Sequence, residues 1–303
     1  MIPKRWILST LAITSLLLSA ITSSKSQDLQ LQRAVDDALE GYAGAIVVID
    51  VTSQRILASN NLGLAGKRLV RPGSTLKPFV LMELLDSAKL DHKQHLLCRR
   101  PLNIGSVRLD CSHTTDVSQL DADDAIAYSC NSYVAEVALR MRGDELVQTL
   151  RRAGLDSPTG MLKGEAAGRV QNPANQEQLQ LTALGERGIE VTPLELLEAY
   201  RKLALRRRTG SISSDEPVFE GLEHAVSYGT AHAAYVDGMR VAGKTGTATA
   251  PHNPRTHGLF VGYVPADRPE IGIVVYLPHG RGLDAAMVAH SVLAEYRRLK
   301  EKP

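Results

Sequence analysis

The sequence predicts a mixed α+β fold: one antiparallel sheet flanked by helices, including an N-terminal and a C-terminal helix, plus an inserted helical lobe. Three observations lead to this prediction. Strand patterns occur both early and late in the chain, helical patterns fill the middle, and an amphipathic helix lies near each end. The helices between the two groups of strands then form the lobe, at approximately residues 88–205. A cleft between sheet and lobe is the expected position of a ligand site.

The first predicted elements are a helix and a β-hairpin. Apolar residues recur at helical spacing over residues 29–39, and Gly41 and Gly44 end that pattern. A β-branched apolar run at residues 45–51 is followed after three polar residues by a second run at 55–59. Two short runs with such a connection are typical of a hairpin.

The later elements follow the same logic. Pro72-Gly73 breaks the chain before a helical pattern over residues 76–87, and residues 121–205 are mainly helical. The last part of the chain shows three strand patterns and a closing amphipathic helix, at residues 239–249, 258–264, 271–277 and 283–300. Strands at both ends of the chain are therefore available for one sheet.

The first 25 residues resemble an export signal. Lys4 and Arg5 precede a mostly apolar, uncharged run at residues 6–21, and polar residues follow it. The run is slightly shorter than the roughly 20 residues that a spanning helix prefers. Residues 1–25 are therefore predicted to be a signal peptide or an N-terminal membrane anchor. Export from the cytoplasm is therefore expected.

The bulk composition is that of a globular protein and excludes one class of partner. The 303 residues are 44% hydrophobic and 22% charged, with a formal net charge of +2. Because the chain has no large excess of basic residues, no nucleic acid or other polyanionic partner is predicted.

Three short motifs carry the chemistry. Ser74 and Lys77 form Ser-x-x-Lys, residues 129–131 form Ser-Cys-Asn, and residues 244–247 read Lys-Thr-Gly-Thr. A lone Ser-x-x-Lys carries little weight, since a chain of this length contains about one by chance. The ordered set of three is much more specific, and it is the signature of serine enzymes that react with penicillin.

With these motifs and their surroundings, the chain resembles the transpeptidase domain of penicillin-binding proteins, closest to the class B type. The resemblance covers roughly residues 29–298. It rests on the three motifs and on segments around them, at residues 43–59, 71–91, 98–131, 185–194, 229–230, 242–248 and 258–267. It implies a β-lactamase/transpeptidase-like fold and a single penicillin-binding transpeptidase domain at residues 26–303. One departure is Glu186, where the family has Gln.

The resemblance implies an acyl transfer through a serine ester. Ser74 would attack the carbonyl of a D-Ala-D-Ala peptide bond, with Lys77 as general base and Ser129 passing a proton to the leaving nitrogen. The substrate would be the stem peptide of peptidoglycan, with β-lactams as covalent inhibitors. The expected enzyme is a D,D-transpeptidase or a D,D-carboxypeptidase that requires no metal and no cofactor. A further cell-wall protein is an expected partner, and the expected location is the periplasm or the outer face of the cytoplasmic membrane of a bacterium.

The resemblance also implies the substrate-binding residues. Asn131 would hydrogen-bond the peptide backbone, and Lys244 would supply positive potential. Thr245 and Thr247 would bind the terminal carboxylate, while Gly246 lets the strand edge approach the substrate closely. The oxyanion would accept hydrogen bonds from the backbone N–H groups of Ser74 and Thr247.

Two other functions share these motifs. A serine β-lactamase would use the same acylation machinery but must also activate water, and the chain contains no Glu-x-x-Leu-Asn string for that purpose. The second alternative is a non-catalytic β-lactam sensor or a cell-wall scaffold. Retention of every catalytic side chain argues against a scaffold, and no signalling segment is evident.

The cysteines allow two interpretations. In an exported protein Cys98 and Cys111 could form a disulfide, which leaves Cys130 unpaired within the second motif. The rival interpretation is a metal site built from histidines and cysteines at zinc-like spacing, namely His92, His95, Cys98, Cys111 and His113. The proposed acyl transfer needs no metal, so no metal site is predicted.

Overall fold

The computed structural model describes residues 26–210, 213–249 and 255–301. The predicted leader at residues 1–25 lies outside this part of the chain. Among the described helices, none combines the length and the apolar content needed to cross a membrane.

A five-stranded antiparallel sheet forms the centre of the fold, as the sequence predicted. Its strand order is β2-β1-β11-β10-β9, so strands from the two ends of the chain pair directly. The strands described are β1 (Ala45–Asp50), β2 (Ile56–Asn60), β3 (Leu96–Leu97), β4 (Asn103–Ile104), β5 (Val107–Arg108), β6 (Gln119–Leu120), β7 (Arg169–Val170), β8 (Ile189–Glu190), β9 (Ala242–Thr249), β10 (Thr256–Val264) and β11 (Ile271–Leu277).

The helices lie on both faces of the sheet and in the lobe. The described helices are α1 (residues 26–38), α2 (Leu62–Lys67), α3 (Lys77–Asp86), α4 (Ala122–Ala127), α5 (Asn131–Ala138), α6 (Gly143–Ala153), α7 (Gln176–Ala183), α8 (Pro193–Arg208), α9 (Glu216–Ser227) and α10 (Gly282–Glu301). Two short 3-10 turns, Gly73–Leu76 and His232–Ala234, complete them.

Both faces of the sheet are buried, which explains its continuous apolar runs. Along β1, Ile46 and Val48 join the core shared with α1 and α10, whereas Val47 and Ile49 join the core shared with α8 and the lobe. Side chains alternate across a strand, so a strand covered on both sides needs apolar residues at every position. Burying each such side chain contributes about 1.5–3 kcal/mol.

The helix α8 begins at a capping box that the sequence encodes locally. The Thr192 hydroxyl accepts the Glu195 N–H at 3.1 Å, and the Glu195 carboxylate accepts the Thr192 N–H at 2.6 Å. Pro193 occupies the first turn, where its missing N–H costs nothing. The other carboxylate oxygen of Glu195 accepts the N–H of Gly168 at 2.7 Å, so the cap also anchors a neighbouring loop.

Two predicted boundaries differ in the structure. The helix predicted over residues 76–87 is preceded by the 3-10 turn Gly73–Leu76, and α3 itself begins at Lys77. The strand predicted from residue 239 begins at Ala242, because Met239 pairs with Val236 in an isolated bridge. β9 is the edge strand at one end of the sheet, next to β10.

Candidate active site

The predicted nucleophile, Ser74, lies in the 3-10 turn at the start of α3. The backbone N–H of Lys77 donates to the Ser74 carbonyl, so the two residues are one turn apart. Two side chains fix the turn from behind: the Thr75 hydroxyl donates to the Pro72 carbonyl at 2.8 Å, and the buried Tyr200 hydroxyl donates to the Thr75 carbonyl at 3.0 Å. Ser74 therefore lies between two residues, Pro72 and Thr75, whose backbone carbonyls accept hydrogen bonds from side chains.

Two glycines let the backbone segments of the site meet. A Cβ on Gly246 of β9 would lie 2.6 Å from the Pro72 carbonyl oxygen and 2.9 Å from Thr75. A Cβ on Gly185, whose φ is +73°, would lie 2.3 Å from the Gly73 oxygen. Both distances are too short for any side chain, so glycine is required where the strand and this loop close on the nucleophile turn.

Lys77 is fully buried and forms the centre of a hydrogen-bond network. Its Nζ donates to the Ser129 carbonyl at 2.6 Å, the Ser129 hydroxyl at 3.2 Å and the Asn131 Oδ1 at 2.6 Å. Burial lowers the pKa of Lys77 to about 8, although nearby anionic groups oppose the shift. A substantial fraction of the amine is therefore neutral near physiological pH.

The Ser-Cys-Asn motif forms the junction between α4 and α5. Ser129 has a left-handed backbone, with φ of 56°, an uncommon conformation for a residue with a side chain. This conformation accompanies the approach of both its carbonyl and its hydroxyl to Lys77. The Asn131 amide nitrogen donates to the Leu109 carbonyl at 3.1 Å, so the side-chain amide is fixed at both ends without a substrate.

Lys244 on β9 is the second buried amine. Its Nζ donates to the Thr230 hydroxyl at 3.4 Å and to the Thr245 carbonyl at 3.3 Å. Burial lowers the pKa of Lys244 well below its ordinary value, and the nearby Lys77 lowers it further. Both effects disfavour the charged form of Lys244, to which the sequence analysis assigned a positive potential.

The two threonines of Lys-Thr-Gly-Thr face the other side of β9, towards α10. The Thr247 hydroxyl accepts the Gly282 N–H at 2.8 Å, and a Cβ on Gly282 would lie 2.7 Å from that of Thr245. The Thr245 hydroxyl lies 3.5 Å from the Thr230 carbonyl. The structure therefore brings Lys77, Ser129 and Asn131 together around one amine, places Gly246 against the nucleophile turn, and gives both threonine hydroxyls partners within the protein.

Three supporting residues were not assigned to the site from the sequence. Thr230 contacts Lys244, and its N–H donates to the Ala127 carbonyl at 3.0 Å. Tyr200 supports the nucleophile turn from α8. Glu186 is half-buried, and the partial loss of water around its carboxyl raises its pKa; it also interacts electrostatically with Lys77. Gly-Thr at 229–230 and the Glu-for-Gln replacement were visible signals in the sequence, whereas Tyr200 carried none.

The cysteines are close together but unbonded. All three are free, and the Cys98 and Cys111 sulfur atoms lie 3.6 Å apart. A disulfide requires about 2.05 Å. The disulfide that the sequence allowed for this pair is therefore absent from this structure. Of the metal site that the sequence offered as an alternative, Cys98, Cys111 and His113 lie close together, whereas His92 and His95 lie outside this group and Cys130 joins it.

Several peptidoglycan D,D-transpeptidases are similar to this chain, with about one-quarter of the aligned residues identical. The probable peptidoglycan D,D-transpeptidase PenA of Neisseria gonorrhoeae is 26% identical over 304 residues, covering 86% of this chain and 52% of that protein. The peptidoglycan D,D-transpeptidase MrdA of Acinetobacter baumannii is 26% identical, covering 91% of this chain and 54% of that protein. The chain thus spans about half the length of these relatives.

Solved structures show the same fold. The transpeptidase domain of penicillin-binding protein 3 from Burkholderia pseudomallei superposes with a TM-score of 0.81 at 22% identity, over 92% of this chain and 95% of that one. The family model of the penicillin-binding protein transpeptidase domain matches residues 44–295, which include the sheet, the lobe and all three motifs. The chain belongs to the family of penicillin-binding protein transpeptidase domains.

Proposed function

We propose that this chain is a penicillin-binding serine D,D-transpeptidase or D,D-carboxypeptidase that acts on the D-Ala-D-Ala end of peptidoglycan stem peptides. The observation that carries the proposal is the state of Lys77. It is a buried amine with a pKa of about 8, one turn from Ser74 and hydrogen-bonded to Ser129. A lysine in water, with a pKa of about 10.4, would be a poor base at neutral pH.

Acylation follows from this arrangement. Neutral Lys77 takes the proton of the Ser74 hydroxyl as its oxygen attacks the scissile carbonyl, and a serine ester forms while the C–N bond breaks. Ser129, hydrogen-bonded to Lys77, passes its proton to the departing D-alanine nitrogen and receives in return the proton that Lys77 took from Ser74. The oxyanion accepts hydrogen bonds from the N–H groups of Ser74 and Thr247, and each such donor contributes about 3 kcal/mol in the transition state.

The carboxylate of the terminal D-alanine binds at β9. The Thr247 hydroxyl accepts from the Gly282 N–H, which leaves its own proton free to donate to a carboxylate. Thr245 contributes in the same way once its long contact with the Thr230 carbonyl is exchanged. A bound carboxylate also favours the charged form of Lys244, because it offsets the burial that lowers the pKa of that amine.

The serine β-lactamase alternative has one observation in its favour. Glu186 is a half-buried carboxyl that interacts with Lys77, and hydrolysis of an acyl-serine needs a group that activates water. The two activities differ in the lifetime of the acyl-enzyme: a transpeptidase retains the penicilloyl group, whereas a β-lactamase releases it.

A time course with fluorescent penicillin tests the proposal. We expect a long-lived adduct on the purified protein, its absence in Ser74→Ala, and normal labelling of Ser106→Ala, which changes an exposed serine in the turn between β4 and β5. Full labelling of Ser74→Ala, or no labelling of the unaltered protein, would contradict acyl transfer through Ser74. Fast release with turnover of the penicillin would establish the β-lactamase instead.

Peptidoglycan lies outside the cytoplasm, so the proposed function requires export. Residues 1–25 are the proposed leader, either cleaved or kept as an anchor, and a cell-wall protein is the proposed partner that brings the domain to its substrate. N-terminal sequencing of the protein from the cell envelope distinguishes a cleaved leader from a retained one. Recovery from the cytoplasm alone would contradict export.

A further inference from the structure

Three cysteines and a histidine form a compact group beside the Ser-Cys-Asn motif. Their ligand atoms all lie within 4.8 Å of one another, although the residues come from separate loops and a helix start. Cys111, His113 and Cys130 are buried, and Cys98 is half-buried. The members of the group are Cys98, Cys111, His113 and Cys130.

The distances within this group match a metal site better than any disulfide. Cys111 lies between the other two thiols, with its sulfur 3.6 Å from that of Cys98 and 3.6 Å from that of Cys130. A tetrahedral zinc ion with Zn–S bonds of about 2.3 Å separates its sulfur ligands by about 3.8 Å. A disulfide would also leave the third thiol unpaired, whereas one ion uses all three.

Hydrogen-bond donors point at the sulfur atoms, as thiolates require. The backbone N–H groups of Asn131 and Ser132 donate to the Cys111 sulfur at 3.2 and 3.4 Å. The Tyr133 N–H donates to the Cys130 sulfur at 3.4 Å, at the start of α5. These donors stabilise negative sulfur, and such contacts orient the ligands of metal sites.

The His113 ring is set for a metal bond through Nε2. Its Nδ1 lies 3.0 Å from the Thr114 carbonyl, so an Nδ1–H can donate there and leave the Nε2 lone pair free, 3.6 Å from the Cys98 sulfur. The Arg100 Nη2 competes for this ring, at 2.6 Å from Nδ1 and 3.1 Å from Nε2. The same nitrogen also contacts the Thr114 carbonyl at 3.2 Å, where it stays when a metal occupies Nε2.

We propose that Cys98, Cys111, His113 and Cys130 bind one zinc ion that holds the Ser-Cys-Asn motif in place. Three thiolates and an imidazole are the soft tetrahedral set that zinc prefers, and four protein ligands close the site, which is typical of a structural ion. Binding releases the thiol protons to solvent. The ion takes no part in acyl transfer and acts as a positioning element.

Cys130 links the proposed zinc ion to the residues that contact Lys77. Its neighbours in sequence, Ser129 and Asn131, are the two residues that hydrogen-bond Lys77. A zinc ion would tie them to the loop that carries Cys98 and to the segment that carries Cys111. Loss of the ion would free the left-handed turn at Ser129 and so disturb the contacts of the buried amine.

Elemental analysis of the full chain, purified without chelators, tests the proposal. We expect a single zinc ion per chain, and a loss of most of it in Cys98→Ser and in His113→Gln. The matched control is His92→Gln, an exposed histidine in the same region that lies outside the group. Cobalt(II) added after chelation should give the intense visible bands of a tetrahedral thiolate site and a thiolate-to-cobalt charge-transfer band.

The cobalt(II) spectrum is recorded on the unaltered protein, so this test does not depend on whether the variants fold. We expect chelation to lower Tm and slow penicillin acylation, and zinc to restore both. A metal-free protein with a Cys98–Cys111 disulfide in mass spectrometry would overturn the proposal. So would equal metal content in Cys98→Ser, His113→Gln and the control. Chelation without any change in Tm would overturn the holding role. Metal stoichiometry does not depend on acyl transfer, so this proposal and the proposed function fail separately.

Discussion

The candidate active site has two walls, the sheet wall formed by β9 and the lobe wall formed by the Ser129 turn, and they are built in different ways. On the sheet side, β9 is held by a continuous ladder to β10 that pairs Ala242 with Tyr263 and ends at Thr249 with Thr256. On the lobe side, the Ser129 turn is held by side-chain contacts to Lys77 and by contacts among thiols. A backbone ladder depends little on which side chains it carries, whereas the turn depends on individual residues. We therefore expect the lobe wall to be the more sensitive to single substitutions.

The largest expected effect comes from substitution of Lys77, whose amine contacts the Ser129 turn of the lobe wall. Lys77→Met removes the general base and all three of its hydrogen bonds, so we expect acylation by penicillin to fall about 10²–10⁴-fold. Stopped-flow labelling measures it. Lys67→Met, at an exposed lysine in the last turn of α2, serves as control. Acylation of Lys77→Met within a few fold of the control would show that another group acts as base.

The next largest effect is expected from a substitution in β9, on the sheet wall. Gly246→Ala places a Cβ 2.6 Å from the Pro72 carbonyl, which forces β9 and the nucleophile turn apart. Overpacking of this kind costs about 1–3 kcal/mol, and we expect a lower Tm together with slower acylation. Gly63→Ala is the control, because a Cβ there meets nothing within 4 Å. A Tm unchanged from the parent would mean that the ladder absorbs the clash and that the sheet wall is more tolerant than proposed.

A smaller effect is expected from loss of the hydrogen bond that Tyr200 donates to the nucleophile turn. Tyr200→Phe removes the hydroxyl that donates to the Thr75 carbonyl and leaves that buried carbonyl without this partner. The cost is about 1–3 kcal/mol of unfolding free energy, measured by urea denaturation. Tyr42→Phe, at an exposed tyrosine, should change it by less than about 0.5 kcal/mol. Equal stability of the two variants would show that the nucleophile turn does not need Tyr200.

The smallest expected effect is a shift in the pH dependence of acylation. With the pKa of Lys77 at about 8, acylation should rise with pH through that value as the amine becomes neutral. Glu186 is an anionic neighbour that raises this pKa, so Glu186→Gln should move the midpoint to lower pH. The pH profile of acylation measures both. Glu190→Gln, at a carboxyl paired with Arg169, should leave the midpoint in place, and a shift to higher pH in Glu186→Gln would contradict the assignment.

Local patterns predicted most of the fold. The hairpin, the late strand at Ile271–Leu277 and the closing helix were visible because each is encoded by its own periodicity. The short strands β7 and β8 were not visible, since two-residue segments such as Arg169–Val170 carry no period. The 3-10 turn before α3 was also missed, because its shape depends on the contact between Gly73 and Gly185.

The sequence by itself determined the elements, the order of the motifs and the family that they resemble. Ser74 and Lys77 are one turn apart in any helix-like segment, so their relation needs no tertiary contact. Only the tertiary structure decided that the pKa values of Lys77 and Lys244 are lowered. It also decided the direction of the Thr245 and Thr247 hydroxyls and the grouping of three cysteines with His113. Burial and the distances between residues far apart in the chain set these properties, and neither is encoded in a local pattern.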